Sequence, residues 1–161
     1  MKKNIFGFTL IELIVTVTVI MVLAGVGAMS LNNFNGLKEL ESVRDEVSDH
    51  LKLARNLAIT KQLPNEAHNL EYVKVNIANN TITIAGVEGA NVYTASPYSP
   101  MIVKSGIAVS SLSNFGFMKS IGRLTDNSGN FVGTTMTVEV TRGTDKKTII
   151  INNSGIISNG N

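Results

Sequence analysis

The chain changes its hydrophobic pattern three times. From Phe8 to about Met29 almost every position is apolar, broken only by Thr9, Glu12, Thr16, Thr18 and small residues. That run has the roughly 20-residue length a helix needs to cross a bilayer. Ser30, Asn32, Asn33, Asn35 and Gly36 then form a polar patch. Beyond it Leu37, Leu40, Val43, Val47, Leu51, Ala54 and Ala58 recur at steps of three and four, the period of a helix with one apolar stripe. Charged residues such as Lys38, Glu39, Glu41, Arg44 and Lys52 mostly take the other faces, and Pro64 supplies a stop. The pattern predicts one long helix from about residue 5 to 62, weakest at Gly25-Val26-Gly27 or at 32–36, with the stripe of its second half packed on a sheet.

After Pro64 the period becomes two. Tyr72–Ile77 and Thr81–Ile84 alternate around Asn79-Asn80, which reads as a hairpin. Further strands are expected at Met101–Lys104, Ile107–Ser110, Asn114–Met118, Thr135–Thr141, Lys147–Ile151 and Gly155–Ile157. Gly143-Thr144-Asp145 is expected to turn between two of them, and Gly86–Pro100 to be a loop. A long helix followed by short strands is an α+β order, here a helix packed on a small antiparallel sheet.

Glu12 changes this picture. A carboxylate inside a bilayer costs roughly 2.5–3.5 kcal/mol on insertion scales, and no Lys or Arg lies between Phe8 and Leu37 to meet it. The counter-charge must come from elsewhere. The chain opens Met1-Lys2-Lys3-Asn4-Ile5-Phe6-Gly7, so the small residue stands before the apolar run rather than after it, as a secretory cleavage site would. A cut between Gly7 and Phe8 leaves the helix intact and creates an amine at Phe8, about one turn from Glu12. In a staggered assembly, a neighbour's amine meets Glu12 more directly.

Lys2-Lys3, the stretch Gly7-Phe8-Thr9-Leu10-Ile11-Glu12-Leu13 and the apolar run after them resemble the type III signal of type IV pilins and type II secretion pseudopilins. The resemblance implies a pilin fold in four parts: a cleaved leader 1–7, a membrane and filament-core helix 8–29, an amphipathic half 30–63 and an exported β-rich domain 64–161. It implies cleavage after Gly7 by a prepilin peptidase, N-methylation of Phe8, and a role for Glu12 in assembly. The implied partners are other pilin or pseudopilin subunits and an inner-membrane assembly platform. The chain would first be a single-pass protein of the cytoplasmic membrane with its C-terminal domain exported, and later part of a filament.

Three weaker stretches are similar to the minor pseudopilin H and pilin T branch: Leu53-Ala54-Arg55-Asn56-Leu57-Ala58-Ile59, Asn114-Phe115-Gly116-Phe117 with Gly122-Arg123-Leu124, and Ile149–Ile157 with Gly155. In some members basic residues after the last Gly help bind DNA. Here Ser158-Asn159-Gly160-Asn161 follows.

Charge argues the same way. Without Lys2 and Lys3, Lys+Arg falls from 14 to 12, equal to the 12 Asp+Glu, so the processed chain has no basic excess to attract nucleic acid. There is no cysteine and hence no disulfide. His50 and His68 are far apart, which argues against zinc, and no catalytic constellation, metal site or cofactor motif stands out. Asp126-Asn127-Ser128-Gly129-Asn130 places oxygen ligands as calcium would want them, yet turn chemistry explains the same residues. Tyr93 and Tyr98 read either as a binding surface or as packed on the domain. The sequence and the resemblance therefore point to a minor structural subunit of a type IV pilus-like or type II secretion pseudopilus filament rather than an enzyme, with a DNA- or cargo-binding minor pilin of a competence or secretion machine as the alternative.

Overall fold

The computed structural model describes residues 8–62, 69–96, 98–110 and 112–160, and of residues 26–33, 113 and 114 the backbone alone. Helix α1, Leu10–Thr60, is a single uninterrupted α-helix of 51 residues. It passes through both compact units of the chain, Met1–Lys38 and Glu39–Asn161. The backbone stays helical through Gly25–Gly27 and 32–36. The helix starts later than its hydrophobic pattern suggested because Thr9 caps it. At the other end Lys61 adopts φ 56°, the left-handed conformation that commonly follows a last helical residue, and the Ser120 amide donates to the Ala58 carbonyl at 2.9 Å. Pro64, expected as the stop, lies outside the described residues, as does His68.

The unit Glu39–Asn161 contains two antiparallel sheets where one was expected. The larger joins β1 (Tyr72–Ala78), β2 (Thr81–Glu88), β3 (Asn91–Thr94), β4 (Met101–Ile102), β6 (Leu112–Met118) and β7 (Leu124–Thr125), in the order β3-β2-β1-β6-β7 with β4 paired to β2. The smaller is β10-β9-β8-β5, made of β5 (Ala108–Val109), β8 (Met136–Arg142), β9 (Asp145–Ile151) and β10 (Ile157–Gly160).

Turn chemistry fixes both long hairpins. Asn79 and Asn80 have φ of 50° and 55°, as a two-residue type I′ turn requires, with Ala78 opposite Thr81. In the second hairpin Arg142 pairs with Asp145, and Gly143 alone carries a positive φ, 59°, the signature of type II′. The expected loop at Gly86–Pro100 is in part a third hairpin. β2 continues to Glu88, and β3 returns along it with Val87 opposite Val92. Gly89 at φ 56° makes that turn, so this glycine marks a reversal between strands rather than the end of the sheet. The last strand is also displaced. Gly155 sits in the turn and pairing begins at Ile157, opposite Ile151.

The core lies between the helix and both sheets. Leu40, Val43, Val47, Leu51, Ala54 and Ala58 are buried, together with Leu57, against Val73, Val75, Ile77, Ile82, Ile84, Phe115, Phe117, Val138, Val140, Ile149 and Ile151. Leu37, counted in the stripe, is 42% exposed; it falls in the other compact unit. Phe115 and Phe117 meet edge to face, with centroids 6.3 Å apart, the favoured arrangement for aromatic pairs. Asn80 ties the two sheets together. Its Nδ2 donates to the Ile107 carbonyl at 2.8 Å and its Oδ1 accepts from the Val109 amide at 3.1 Å.

Candidate functional site

Thr9 and Glu12 form the first turn of α1. The Glu12 amide donates to Thr9 Oγ1 at 3.3 Å, and the Leu13 amide donates to the Thr9 carbonyl at 3.2 Å. Thr9 is therefore the N-cap and Glu12 the third helical residue, the Thr-x-x-Glu spacing of a capping box. Thr9 Oγ1 also lies 3.5 Å from Glu12 Oε2, at the outer limit of a hydrogen bond. The helix places the Glu12 carboxylate at its positive end, where the backbone dipole favours an anion. This capping role was legible in the spacing Thr9–Glu12 and is absent from a reading of Glu12 as a membrane charge alone.

The other polar side chains of this turn-rich apolar stretch satisfy themselves. Thr16 Oγ1 donates to the Leu13 carbonyl at 2.9 Å and Thr18 Oγ1 to the Ile14 carbonyl at 2.7 Å, so neither hydroxyl needs water. Around them the apolar side chains are open: Leu10 is 78% exposed and Leu23 is 66%. Among the residues whose side chains are described, no helix is long and apolar enough to cross a membrane. That stretch ends at Gly25, and the sequence goes on as Val26-Gly27-Ala28-Met29. Gly7, and with it the expected cleavage bond, lies outside the described residues.

The three stretches that suggested a branch of the family converge elsewhere. Arg55 on α1 donates through Nε to the Gly122 carbonyl at 3.3 Å. Gly122 (φ 63°) and Gly155 (φ 76°) meet so closely that a Cβ on Gly155 would lie 1.8 Å from the Gly122 carbonyl oxygen and 3.2 Å from Arg55 Nε. The Leu124 amide donates to the Asn153 carbonyl at 3.3 Å. The end of the helix, the β6–β7 turn of one sheet and the β9–β10 turn of the other are thus joined at one point. Only glycine permits both the left-handed backbone and the approach.

The remaining candidates resolve into structure. Asp126 Oδ1 accepts from the amides of Ser128 at 2.8 Å and Asn130 at 2.9 Å, and these bonds hold its carboxyl below the usual range. The carboxylate is spent on its own turn. That turn lies against β1: the Tyr72 hydroxyl donates to the Asn127 carbonyl at 2.6 Å, and burial pushes this phenol up. Among the described residues no group of His, Asp or Glu is arranged to hold a metal ion. His50 is half-buried on α1, Tyr93 belongs to β3 and Tyr98 is exposed. Lys146 pairs with Glu139 across the β8–β9 hairpin at 2.5 Å. On α1, Glu39 is bracketed by Lys104 and by Arg142 at 3.6 Å. The hydrogen bond and charge of Lys104, with the weaker pull of Arg142, hold the Glu39 carboxyl below its usual value.

Comparison with known proteins agrees with this geometry. The family described as the prokaryotic N-terminal methylation motif matches residues 2–28. No curated protein matches the chain by sequence. The fold is similar to that of the type IV minor pilin FimU of Pseudomonas aeruginosa, with a TM-score of 0.54 at 14% identity, over 75% of this chain and 92% of that one. At that identity the likeness is one of fold. A long N-terminal helix that carries the N-terminal methylation motif over residues 2–28 and packs on antiparallel sheets gives this chain the pilin fold.

Proposed function

We propose that the chain is a minor structural subunit of a type IV pilus-like or type II secretion pseudopilus filament. The observation that carries the reading is the first turn of α1: a carboxylate, Glu12, set at the start of a helix whose apolar side chains the chain itself leaves uncovered. Exposed apolar surface on this scale needs a cover. Lipid covers it before assembly and neighbouring helices cover it after.

In this reading a prepilin peptidase removes residues 1–7 and Phe8 is N-methylated. Residues 8–29 hold the chain in the inner membrane as a single span, with 30–63 and 64–161 exported. An assembly platform then transfers the helix from lipid into a bundle, where close packing replaces lipid contacts. Glu12 pairs with the Phe8 amine of an adjacent subunit, so only the assembled state neutralises the acid. The minor rather than major role is supported by the likeness to a minor pilin and by the convergence of Arg55, Gly122 and Gly155, which fits the pseudopilin H and pilin T branch.

The test separates insertion from assembly. Glu12→Ala should leave membrane insertion intact and abolish or strongly reduce recovery of the subunit in sheared filaments. Gly7→Val should leave the leader attached, seen as slower migration on a gel. Normal incorporation of the Glu12→Ala protein would defeat the mechanism.

A further inference from the structure

A groove of about 270 Å³ opens beside the glycine junction, lined by Lys52, Arg55, Asn56, Ile156 and Ile157. Two cations and no acid line it. Lys52 is already paired with Asp49 at 2.8 Å. Arg55 has no carboxylate partner among the described residues; its one hydrogen bond there uses Nε on the Gly122 carbonyl. That bond leaves the two Nη groups of the guanidinium, the fork that grips a carboxylate with two parallel hydrogen bonds. The fork is also held in place. The Nε bond to the Gly122 carbonyl anchors the side chain at the junction, so part of its rotamer freedom is already lost before binding. Ile156, on the groove wall, is 56% exposed. An open aliphatic side chain beside an unneutralised, fixed guanidinium matches one chemistry, a carboxylate flanked by apolar side chains.

We propose that this groove docks an acidic side chain, with its aliphatic neighbours, from an adjacent subunit of the filament. The partner's identity as a subunit rests on the filament reading above; the groove's preference for a carboxylate does not. Charge complementarity selects the occupant. Residues 30–161 hold 12 Lys+Arg against 11 Asp+Glu, too small an excess to draw a polyanion, and among the described residues Arg55 stands in this groove with no carboxylate on its fork.

The probe is the peptide acetyl-Ile-Glu-Ile-amide, with acetyl-Ile-Gln-Ile-amide as its neutral control, titrated into the full-length processed protein in detergent micelles with nitrogen-labelled arginines. The Arg55 Nη signals should shift saturably with the acidic peptide and not with the neutral one. Ile156→Asp offers the fork an internal carboxylate while leaving the Arg55–Gly122 bond in place, and should weaken the peptide by about tenfold or more. Arg55→Lys keeps the charge, loses the fork and should weaken it as well. No saturable shift, or equal shifts with both peptides, overturns the site. In cells, Ile156→Asp should lower the number of subunits per filament. Wild-type numbers in a variant that has lost peptide binding overturn the docking role. Failure of the unaltered protein to enter filaments at all, with peptide binding intact, refutes the filament reading instead.

Discussion

Gly155→Ala tests whether the junction of helix and sheets holds the unit Glu39–Asn161 together. Two costs add. An L-residue in the left-handed region at φ 76° loses roughly 1–2 kcal/mol. The new Cβ would also stand 1.8 Å from the Gly122 carbonyl oxygen and 3.0 Å from its carbon. Those are backbone atoms, tied into β6–β7 and to Arg55, so they cannot swing aside as a side-chain tip would. Overpacking of this kind costs about 1–3 kcal/mol, and the total is about 2–5 kcal/mol. Gly143→Ala is the matched control: φ is 59°, and nothing lies within 4 Å of its Cβ. It should cost only the conformational part, about 1–2 kcal/mol. For a unit of this size, with about 3 °C of melting temperature per kcal/mol, Gly155→Ala should lower the midpoint by about 6–15 °C and Gly143→Ala by about 3–6 °C. Gly122→Ala should fall between them, because its Cβ meets the movable Ile59 Cδ1 at 2.8 Å rather than backbone. The assay is thermal unfolding of the three proteins in one detergent, followed by far-ultraviolet circular dichroism. Equal midpoints for the Gly155 and Gly143 variants would refute the junction as a point of close backbone contact.

Three further outcomes follow from other parts of the unit. Asn80→Ala loses a left-handed side-chain preference and both bonds to Ile107 and Val109, which should cost about 2–4 kcal/mol. Hydrogen exchange should show β5 opening first, whereas Asn80→Gly should recover the turn but not β5. Ser48 Oγ is buried with no hydrogen-bond partner among the described residues, so Ser48→Ala should be neutral or stabilising in urea; a clear loss would mean the hydroxyl is bonded. The depressed Glu39 and Asp126 carboxyls lie below their unfolded values, so their contribution is present above about pH 4.5 and is lost as pH falls through the lowered values. Lys104→Gln should flatten the acid limb of a melting-temperature profile, and an unchanged limb would show that Glu39 does not titrate with folding.

What the sequence made legible was local. Helix period, the period-two alternation and the Asn79-Asn80 and Gly143-Thr144 turns each depend on neighbours within a few residues, and each appears where expected. The failures share a cause. Gly86 and Gly89 looked like loop residues, because a glycine inside a strand and one between two strands carry the same letter; only the pairing of Val87 with Val92 separates them. Leu37 satisfied the period of the stripe but lies beyond the stretch that the sheets cover. Two sheets rather than one could not be read from strand patterns, since nothing local says that Asn80 will reach β5.

The two sites differ in the same way. Glu12 could be singled out because a charge in a membrane-length apolar run is costly wherever the chain folds, and its capping partner Thr9 is only three residues away. Arg55, Gly122 and Gly155 each looked unremarkable alone, as a helix-surface cation and two turn glycines. Their meaning is relational: Arg55 and Gly122 are 67 residues apart in the chain yet share a hydrogen bond, and both glycines are required only because the other is there. A guanidinium anchored by such a junction, with no carboxylate on its fork among the described residues, is a different chemical object from a solvated arginine. That difference exists only in the folded chain, and it is why the groove at Arg55 emerges from the structure whereas Glu12 stands out in the sequence.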